Sequence, residues 1–152
     1  MVRVGIICEG SSDYPVLQRV VEFVLGASDV IFRDIQPDFD ALSRHVPGTS
    51  GPGWQGVRDF LGKPALAVAA QFHDILVIQV DADVRRSATL APRLGADHGG
   101  LDELQPLCDE VKRWMSSPTP ECVINRLAPR GDRSMVARCA FAPTWRRAGR
   151  PA

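Results

Sequence analysis

Acidic residues follow two apolar, strand-like stretches of the sequence and are the side chains best suited to chemistry. Glu9 comes directly after residues 2–8, and Asp81 and Asp83 follow residues 74–80. Carboxylates held at one edge of a sheet repel one another unless a cation neutralises them. Oxygen ligands suit Mg²⁺ or Mn²⁺, which keep several waters and contact substrate phosphates. We therefore predict that Glu9, Asp81 and Asp83 hold such an ion.

Residues beside these carboxylates extend the predicted site. Gly10 lets the backbone turn sharply after Glu9 and lets a ligand approach closely. Because Asp81 and Asp83 are two positions apart, an extended strand would place both on the same side. Asp13 stands at the start of a predicted helix, where it can serve as the helix cap.

Four further polar residues are candidates for phosphate binding. Ser11 and Ser12 offer hydroxyl and amide groups at the start of a predicted helix, a position that favours anions. Arg85 and Arg86 directly follow the acidic pair and could hold a phosphate, although solvated loop arginines would look the same. The loop after residue 8 lacks the lysine of a P-loop, which excludes a nucleoside triphosphatase of that type.

The histidines and cysteines show no spacing typical of a metal site. They are His45, His73, His98, Cys8, Cys108, Cys122 and Cys139. His73 precedes an apolar stretch and is predicted to be structural, whereas His45 and His98 fall in long loops and could line a rim. Without a CxxC pair, the cysteines are predicted to be buried free thiols.

Hydrophobic patterns predict the elements that position these residues. The predicted strands are 2–8, 30–35, 74–80 and 122–124, and the predicted helices are 14–25, 54–70 with a break at Pro64, and 101–115. Alternation of strands and helices predicts an α/β fold with a mostly parallel sheet of about four strands flanked by helices. Ligands of such sheets bind beyond the carboxyl ends of the strands, where the acidic residues lie.

Two segments of the sequence resemble the Toprim domain. ICEGSSD, followed by an amphipathic helix, and the later ILVIQVDAD carry a resemblance that covers residues 2–83. The resemblance implies a Toprim-like, Rossmann-like fold in which Glu9 is the general acid or base and Asp81 and Asp83 bind Mg²⁺. The E-G-x-x-D form, ending at Asp13, is most similar to the overcoming-lysogenization-defect nucleases and small stand-alone members. This similarity implies that Asp13 is an accessory metal ligand or a residue that orients one.

The resemblance implies a Mg²⁺-dependent phosphodiesterase or nuclease that acts on nucleic acid, in bacterial defence or a mobile element. One alternative is a noncatalytic Toprim-like module that binds nucleic acid or a partner ATPase. Another is a metal-dependent nucleotide-sugar transferase in which Asp81 and Asp83 hold the metal. A topoisomerase is disfavoured because the single tyrosine, Tyr14, opens a helix beside the acidic loop.

Length and composition predict one compact soluble domain. The chain has 152 residues, of which 45% are hydrophobic. No apolar stretch reaches the roughly 18 residues of a membrane span, and no signal-peptide pattern follows Met1. The sequence therefore predicts a cytoplasmic protein without a membrane partner.

Charge divides the chain into two regions. Residues 126–152 contain seven arginines and one acidic residue, Asp132, for a net charge of +6, so residues 1–125 carry −6. We predict an α/β domain at 1–125 and a basic, poorly patterned tail at 126–152. The tail is either an arm that contacts nucleic acid or a partner, or an altered C-terminus whose uncovered sheet edge would favour a homodimer.

Overall fold

The computed structural model describes residues 1–26, 29–38, 50–94, 104–115, 122–127 and 136–141. Its elements are β1 (Val2–Ile7), α1 (Asp13–Leu25), β2 (Val30–Gln36), α2 (Gly53–Leu61), α3 (Ala65–Phe72), β3 (Ile75–Ile78), a 3₁₀ helix (Ala82–Arg86), α4 (Ala91–Leu94), α5 (Leu104–Trp114), β4 (Cys122–Leu127) and β5 (Val136–Phe141). Within these ranges, no helix combines the length and hydrophobicity needed to cross a bilayer. His45, His98 and residues 101–103 lie outside the described residues.

Three strands form a parallel sheet in the order β2-β1-β3. In the register of the sheet, Val4 of β1 stands opposite Phe32 on one side and Ile75 on the other. This confirms the prediction of an α/β fold with a parallel sheet flanked by helices. Because β1 and β3 are neighbours that run in the same direction, their carboxyl ends lie side by side at one edge of the sheet.

The predicted fourth strand of this sheet is not found in the described part of the chain. Residues 122–124 do form a strand, but β4 pairs antiparallel with β5 and is not hydrogen-bonded to the parallel sheet, to which β5 lies close along β3. β5 falls within residues 126–152, for which no pattern predicted a strand. A short apolar stretch fits a parallel or an antiparallel ladder equally well, so hydrophobicity alone does not predict its partner.

Side chains on the two faces of the sheet enter two separate hydrophobic clusters. Alternate residues of a strand point to opposite faces. One cluster joins the sheet to α1 through Val4, Ile6, Cys8, Leu17, Val21 and Val77. The other joins it to α2, α3, α4 and α5, mainly through Ile7, Val57, Leu61, Leu66, Leu76, Ile78, Leu94, Leu107 and Val111. Helices therefore cover both faces, as the almost continuous apolar sequence of β3 predicted.

The predicted helices are close to those observed. The break at Pro64 separates α2 from α3, because proline lacks the N–H that a continuous helix needs. α1 ends at Gly26, which adopts a left-handed conformation with φ of 57°. His73 is structural as predicted, since its Nδ1 lies 2.8 Å from the Ala69 carbonyl oxygen. Cys8 and Cys108 are buried, also as predicted.

Candidate functional site

Glu9 and Asp81 meet at the carboxyl ends of two neighbouring strands. Glu9 is the second residue after β1, and Asp81 is the third after β3. The backbone N–H of Asp81 donates a 2.7 Å hydrogen bond to Oε1 of Glu9. The structure therefore brings together two predicted site residues that are far apart in the sequence.

The side chain of Gln79 connects the same two strand ends. It is 3% exposed, and its Oε1 accepts a 3.1 Å hydrogen bond from the backbone N–H of Glu9. Its Nε2 donates a 2.5 Å hydrogen bond to Oδ1 of Asp81. Gln79 thus orients both the Asp81 carboxylate and the backbone that carries Glu9. Sequence reasoning missed this residue, although a glutamine inside an otherwise apolar strand was an available signal.

The start of α2 packs over Glu9. The backbone N–H of Gly53 donates a 2.7 Å hydrogen bond to the Glu9 carbonyl oxygen. Just before it, the Gly51 carbonyl oxygen accepts a 2.7 Å hydrogen bond from the buried side chain of Gln36. A Cβ atom at Gly56 would lie 1.5 Å from that same oxygen, so only glycine allows this approach. The segment before α2 is therefore fixed against the ends of β1 and β2.

Glu9 is partly buried among other acidic side chains. Burial raises the pKa of its carboxyl, the hydrogen bond from the Asp81 N–H lowers it, and the charges of Asp81, Asp83 and Asp13 raise it further. The resulting pKa is about 7. Both protonation states are therefore populated near neutral pH, which suits a group that accepts or donates a proton. We call Glu9, Asp13, Asp81 and Asp83 the acidic rim.

Asp83 is placed differently from the prediction. β3 ends at Ile78, and Asp81 occupies the cap position of the 3₁₀ helix that contains Asp83. The prediction that an extended strand carries both aspartates on one side is therefore wrong, because the chain turns into a helix after Asp81. Asp83 is exposed, and its charge still acts on Glu9.

Asp13 fastens the loop that follows Glu9. Its Oδ2 accepts a 3.0 Å hydrogen bond from the Gly10 N–H, and its own N–H donates to the Gly10 carbonyl oxygen at 3.2 Å. Ser12 occupies the cap position of α1, but its side chain makes no capping hydrogen bond. Ser11 and Ser12 are exposed beside the acidic rim, and their phosphate-binding role stays a prediction.

Both candidate arginines lie in the 3₁₀ helix that follows Asp81. Arg86 is exposed, whereas Arg85 is 6% exposed. Arg85 is therefore not the solvated loop charge that one alternative predicted. Phosphate binding by either arginine stays a prediction.

The acidic rim offers carboxylate oxygens, which are the ligands that Mg²⁺ and Mn²⁺ prefer. Among the described residues, no group of three or more acidic, histidine or cysteine side chains is arranged so that it could hold a metal ion. Mg²⁺ commonly takes only one or two carboxylates and completes its shell with water and substrate phosphate. Burial is the main cause of the raised Glu9 pKa, and the charges of Asp81, Asp83 and Asp13 add a repulsion that a cation would relieve. Binding of Mg²⁺ or Mn²⁺ by Asp81 and Asp83 stays a prediction.

Comparison of the chain with known proteins adds no assignment to this geometry. Models of protein families, curated proteins and solved structures were each compared with the chain, and none of them matches it.

Proposed function

We propose that this protein is a Mg²⁺-dependent phosphodiesterase of the Toprim type that cleaves nucleic acid. The observation that carries the proposal is the hydrogen bond between Glu9 and the Asp81 backbone across the ends of adjacent parallel strands. The arrangement holds one titratable carboxyl beside two aspartates at the edge where parallel sheets bind ligands. The order of these residues along the chain adds the resemblance to Toprim domains.

Each residue of the acidic rim has a distinct part in the proposed reaction. A bound Mg²⁺ would neutralise phosphate charge and activate a water molecule. Asp81 and Asp83 would supply oxygen ligands for it. Glu9 accepts or donates a proton, because its partly buried carboxyl lies at the same strand ends, in hydrogen-bond contact with the Asp81 backbone. Gln79 acts as a positioning residue that holds the Asp81 carboxylate in place.

A nucleotide-sugar transferase is less well supported by this arrangement. Such an enzyme needs only the aspartates, so the contact between Glu9 and Asp81 and the clamp by Gln79 would have no role in it. A noncatalytic module that binds nucleic acid or a partner ATPase uses the same surface without cleavage. A cleavage assay distinguishes this module from the enzyme.

The test is cleavage of supercoiled DNA, single-stranded DNA and RNA by the full chain with Mg²⁺ or Mn²⁺, and with a chelator. We expect Glu9→Gln and Asp81→Asn each to slow cleavage by about 100-fold or more. Asp74→Asn is the matched control, because Asp74 precedes the same strand at its other end and pairs with Arg3 at 3.3 Å. Its activity should equal that of the wild type.

The outcomes differ clearly between the alternatives. Metal-dependent cleavage that both rim variants lose and the control keeps would support the enzyme and identify its substrate. Binding of nucleic acid without cleavage would favour the noncatalytic module over the enzyme. Equal cleavage by wild type and Asp81→Asn would assign the activity to something other than the acidic rim.

A further inference from the structure

A basic cleft of about 490 Å³ lies where the C-terminal end of α2 meets α4 and α5. We call it the α2–α5 cleft. Within the described chain, its charged and aromatic lining includes Arg58, Lys63, Arg93, Glu110, Arg113 and Trp114. With Asp59 included, four basic and two acidic side chains give the cleft a net charge of +2. This sign is opposite to the net charge of −6 that residues 1–125 carry.

Glu110 organises one wall of the cleft. It is 3% exposed and accepts hydrogen bonds from Arg113 at 2.9 Å, from Trp114 at 3.2 Å and from Arg93 at 3.3 Å. The two arginines come from different helices, so this buried carboxylate holds them at fixed positions. Their side chains are nevertheless 69% and 63% exposed. Each guanidinium carries five N–H donors, and one nitrogen of each faces Glu110.

Across the cleft, Arg58 and Lys63 complete the basic lining. Arg58 is exposed in the last turn of α2. Lys63 donates a 2.9 Å hydrogen bond to the hydroxyl of Ser50, which places its ammonium group beside the same opening. Guanidinium and ammonium groups arranged around a cleft are suited to oxyanions, and above all to phosphate groups.

Helix α2 connects this cleft with the acidic rim. Its first residue, Gly53, donates to the Glu9 carbonyl oxygen, and its last turn lines the cleft. Nine helical residues span about 13 Å at 1.5 Å per residue. That length equals roughly four nucleotides of a duplex strand at about 3.4 Å each.

We propose that the α2–α5 cleft binds the phosphodiester backbone of the nucleic acid whose cleavage is assigned to the acidic rim. The inference rests on the proposed function for the identity of the polyanion. An acidic domain needs a local basic surface to hold a polyanion, and the cleft supplies one at a distance of one helix from Glu9.

Binding without metal tests the cleft separately from catalysis. The full chain is titrated against a labelled single-stranded DNA of about 12 nucleotides in a chelator, over roughly 50–200 mM salt. For Arg58→Gln, which leaves the Glu110 contacts intact, we expect about fivefold weaker binding at about 0.1 M salt and a salt slope smaller by about 0.7. Arg113→Gln should weaken binding at least as much.

The control is Arg19→Gln. Arg19 is 85% exposed on α1 and pairs with Glu22 three residues away, as Arg113 does with Glu110. Unchanged binding by this control together with weaker binding by the cleft variants would support the proposal. If Arg19→Gln weakened DNA binding as much as the cleft variants do, the proposal would be overturned, because binding would then depend on the overall surface charge and not on the cleft. Competition by polyglutamate as strong as by unlabelled DNA would overturn the recognition of phosphate.

The failure of the cleft and the failure of the enzyme are distinguishable. If the wild type cleaves DNA while both cleft variants bind it normally, the cleft proposal is overturned and the nuclease stands. If the wild type binds through the cleft but cleaves nothing, the cleft stands as a nucleic-acid site and the nuclease does not. If the wild type binds no DNA at all, the proposal that the cleft binds nucleic acid is overturned.

Discussion

Two glutamates of this chain are buried to different degrees and have opposite surroundings. Glu9 lies among Asp13, Asp81 and Asp83, and its pKa is raised to about 7 by burial and by their charges. Glu110 is almost fully buried and faces two arginines and an indole N–H. Burial alone would raise its pKa, but the hydrogen bonds from its three neighbours hold the pKa below the usual value.

The comparison separates a structural carboxylate from a candidate chemical one. The charge of Glu110 is satisfied by the protein itself, so this residue stabilises the packing of α4 and α5. The charge of Glu9 is opposed by burial and by its acidic neighbours, so its carboxyl is protonated in part of the molecules at neutral pH. Substitutions of the two glutamates test this contrast, and a substitution at Gly56 tests the packing of the segment beside Glu9.

The largest loss of stability is expected at Gly56, where the segment that contacts the Glu9 backbone is tightly packed. Alanine normally stabilises a helix relative to glycine, but Gly56→Ala would push a methyl group to 1.5 Å from the Gly51 carbonyl oxygen. We expect a loss of about 3 kcal/mol or more in the free energy of unfolding, measured by urea denaturation. Gly51→Ala is the control, because its Cβ would meet no atom within 4 Å. Equal stability of both variants would contradict the packing described here.

Removing the charge of Glu110 tests the satisfied carboxylate. Glu110→Gln keeps the shape but loses the charge-assisted hydrogen bonds from Arg93 and Arg113. We expect a loss of about 2 kcal/mol near pH 7, measured by the same denaturation. Glu22→Gln, which removes the partner of Arg19 on α1, should cost less than about 0.5 kcal/mol.

The pH dependence of this loss gives a second check. Because the folded-state pKa of Glu110 is lowered, its stabilising effect is present above its unfolded pKa. The effect should disappear as the pH falls through the folded pKa. A difference between wild type and Glu110→Gln that stays constant in acid would contradict the assignment.

For Glu9 we expect the opposite pH dependence of stability, which Glu9→Gln tests. Because its pKa is raised from 4.5 to about 7, wild-type stability should fall as the pH rises through that window. The variant, which keeps the acceptor for the Asp81 N–H, should not show this fall. After allowance for solvent around a partly exposed group, we expect the variant to be about 1–2 kcal/mol more stable at about pH 8. Melting temperatures of the wild type and the variant at about pH 4 and pH 8 measure this change. If the two proteins differ by the same amount at both pH values, the pKa of Glu9 is not raised in the folded state.

The sequence was sufficient to predict that Glu9 and Asp81 lie at the same edge of the sheet. Residues 2–8 and 74–80 are apolar stretches that suit buried strands, and each is followed by acidic residues. That strands of one parallel sheet end at a common edge follows from geometry. The contact between Glu9 and Asp81 is consistent with this reasoning.

Other features depended on contacts that sequence patterns do not reveal. The local sequence around Asp83 fits a strand or a turn, and the helical turn becomes visible only in the structure. Gln79 acts on Glu9 across 70 positions, so no local spacing predicted the contact. Likewise, Arg58, Arg93 and Arg113 show no common pattern, and they meet only because α2, α4 and α5 pack on the same face of the sheet.

The position of β1 in the middle of the sheet also has a consequence for biosynthesis. Glu9 and Asp81 are 72 positions apart in the chain. At a translation rate of about 5–20 residues per second, the ribosome adds Asp81 roughly 4–14 s after Glu9. During that time β1 has at most β2 as a partner in the sheet, and its other edge awaits β3. The acidic rim therefore cannot exist on a nascent chain before β3 has emerged, which delays any activity of the rim until most of the domain is made.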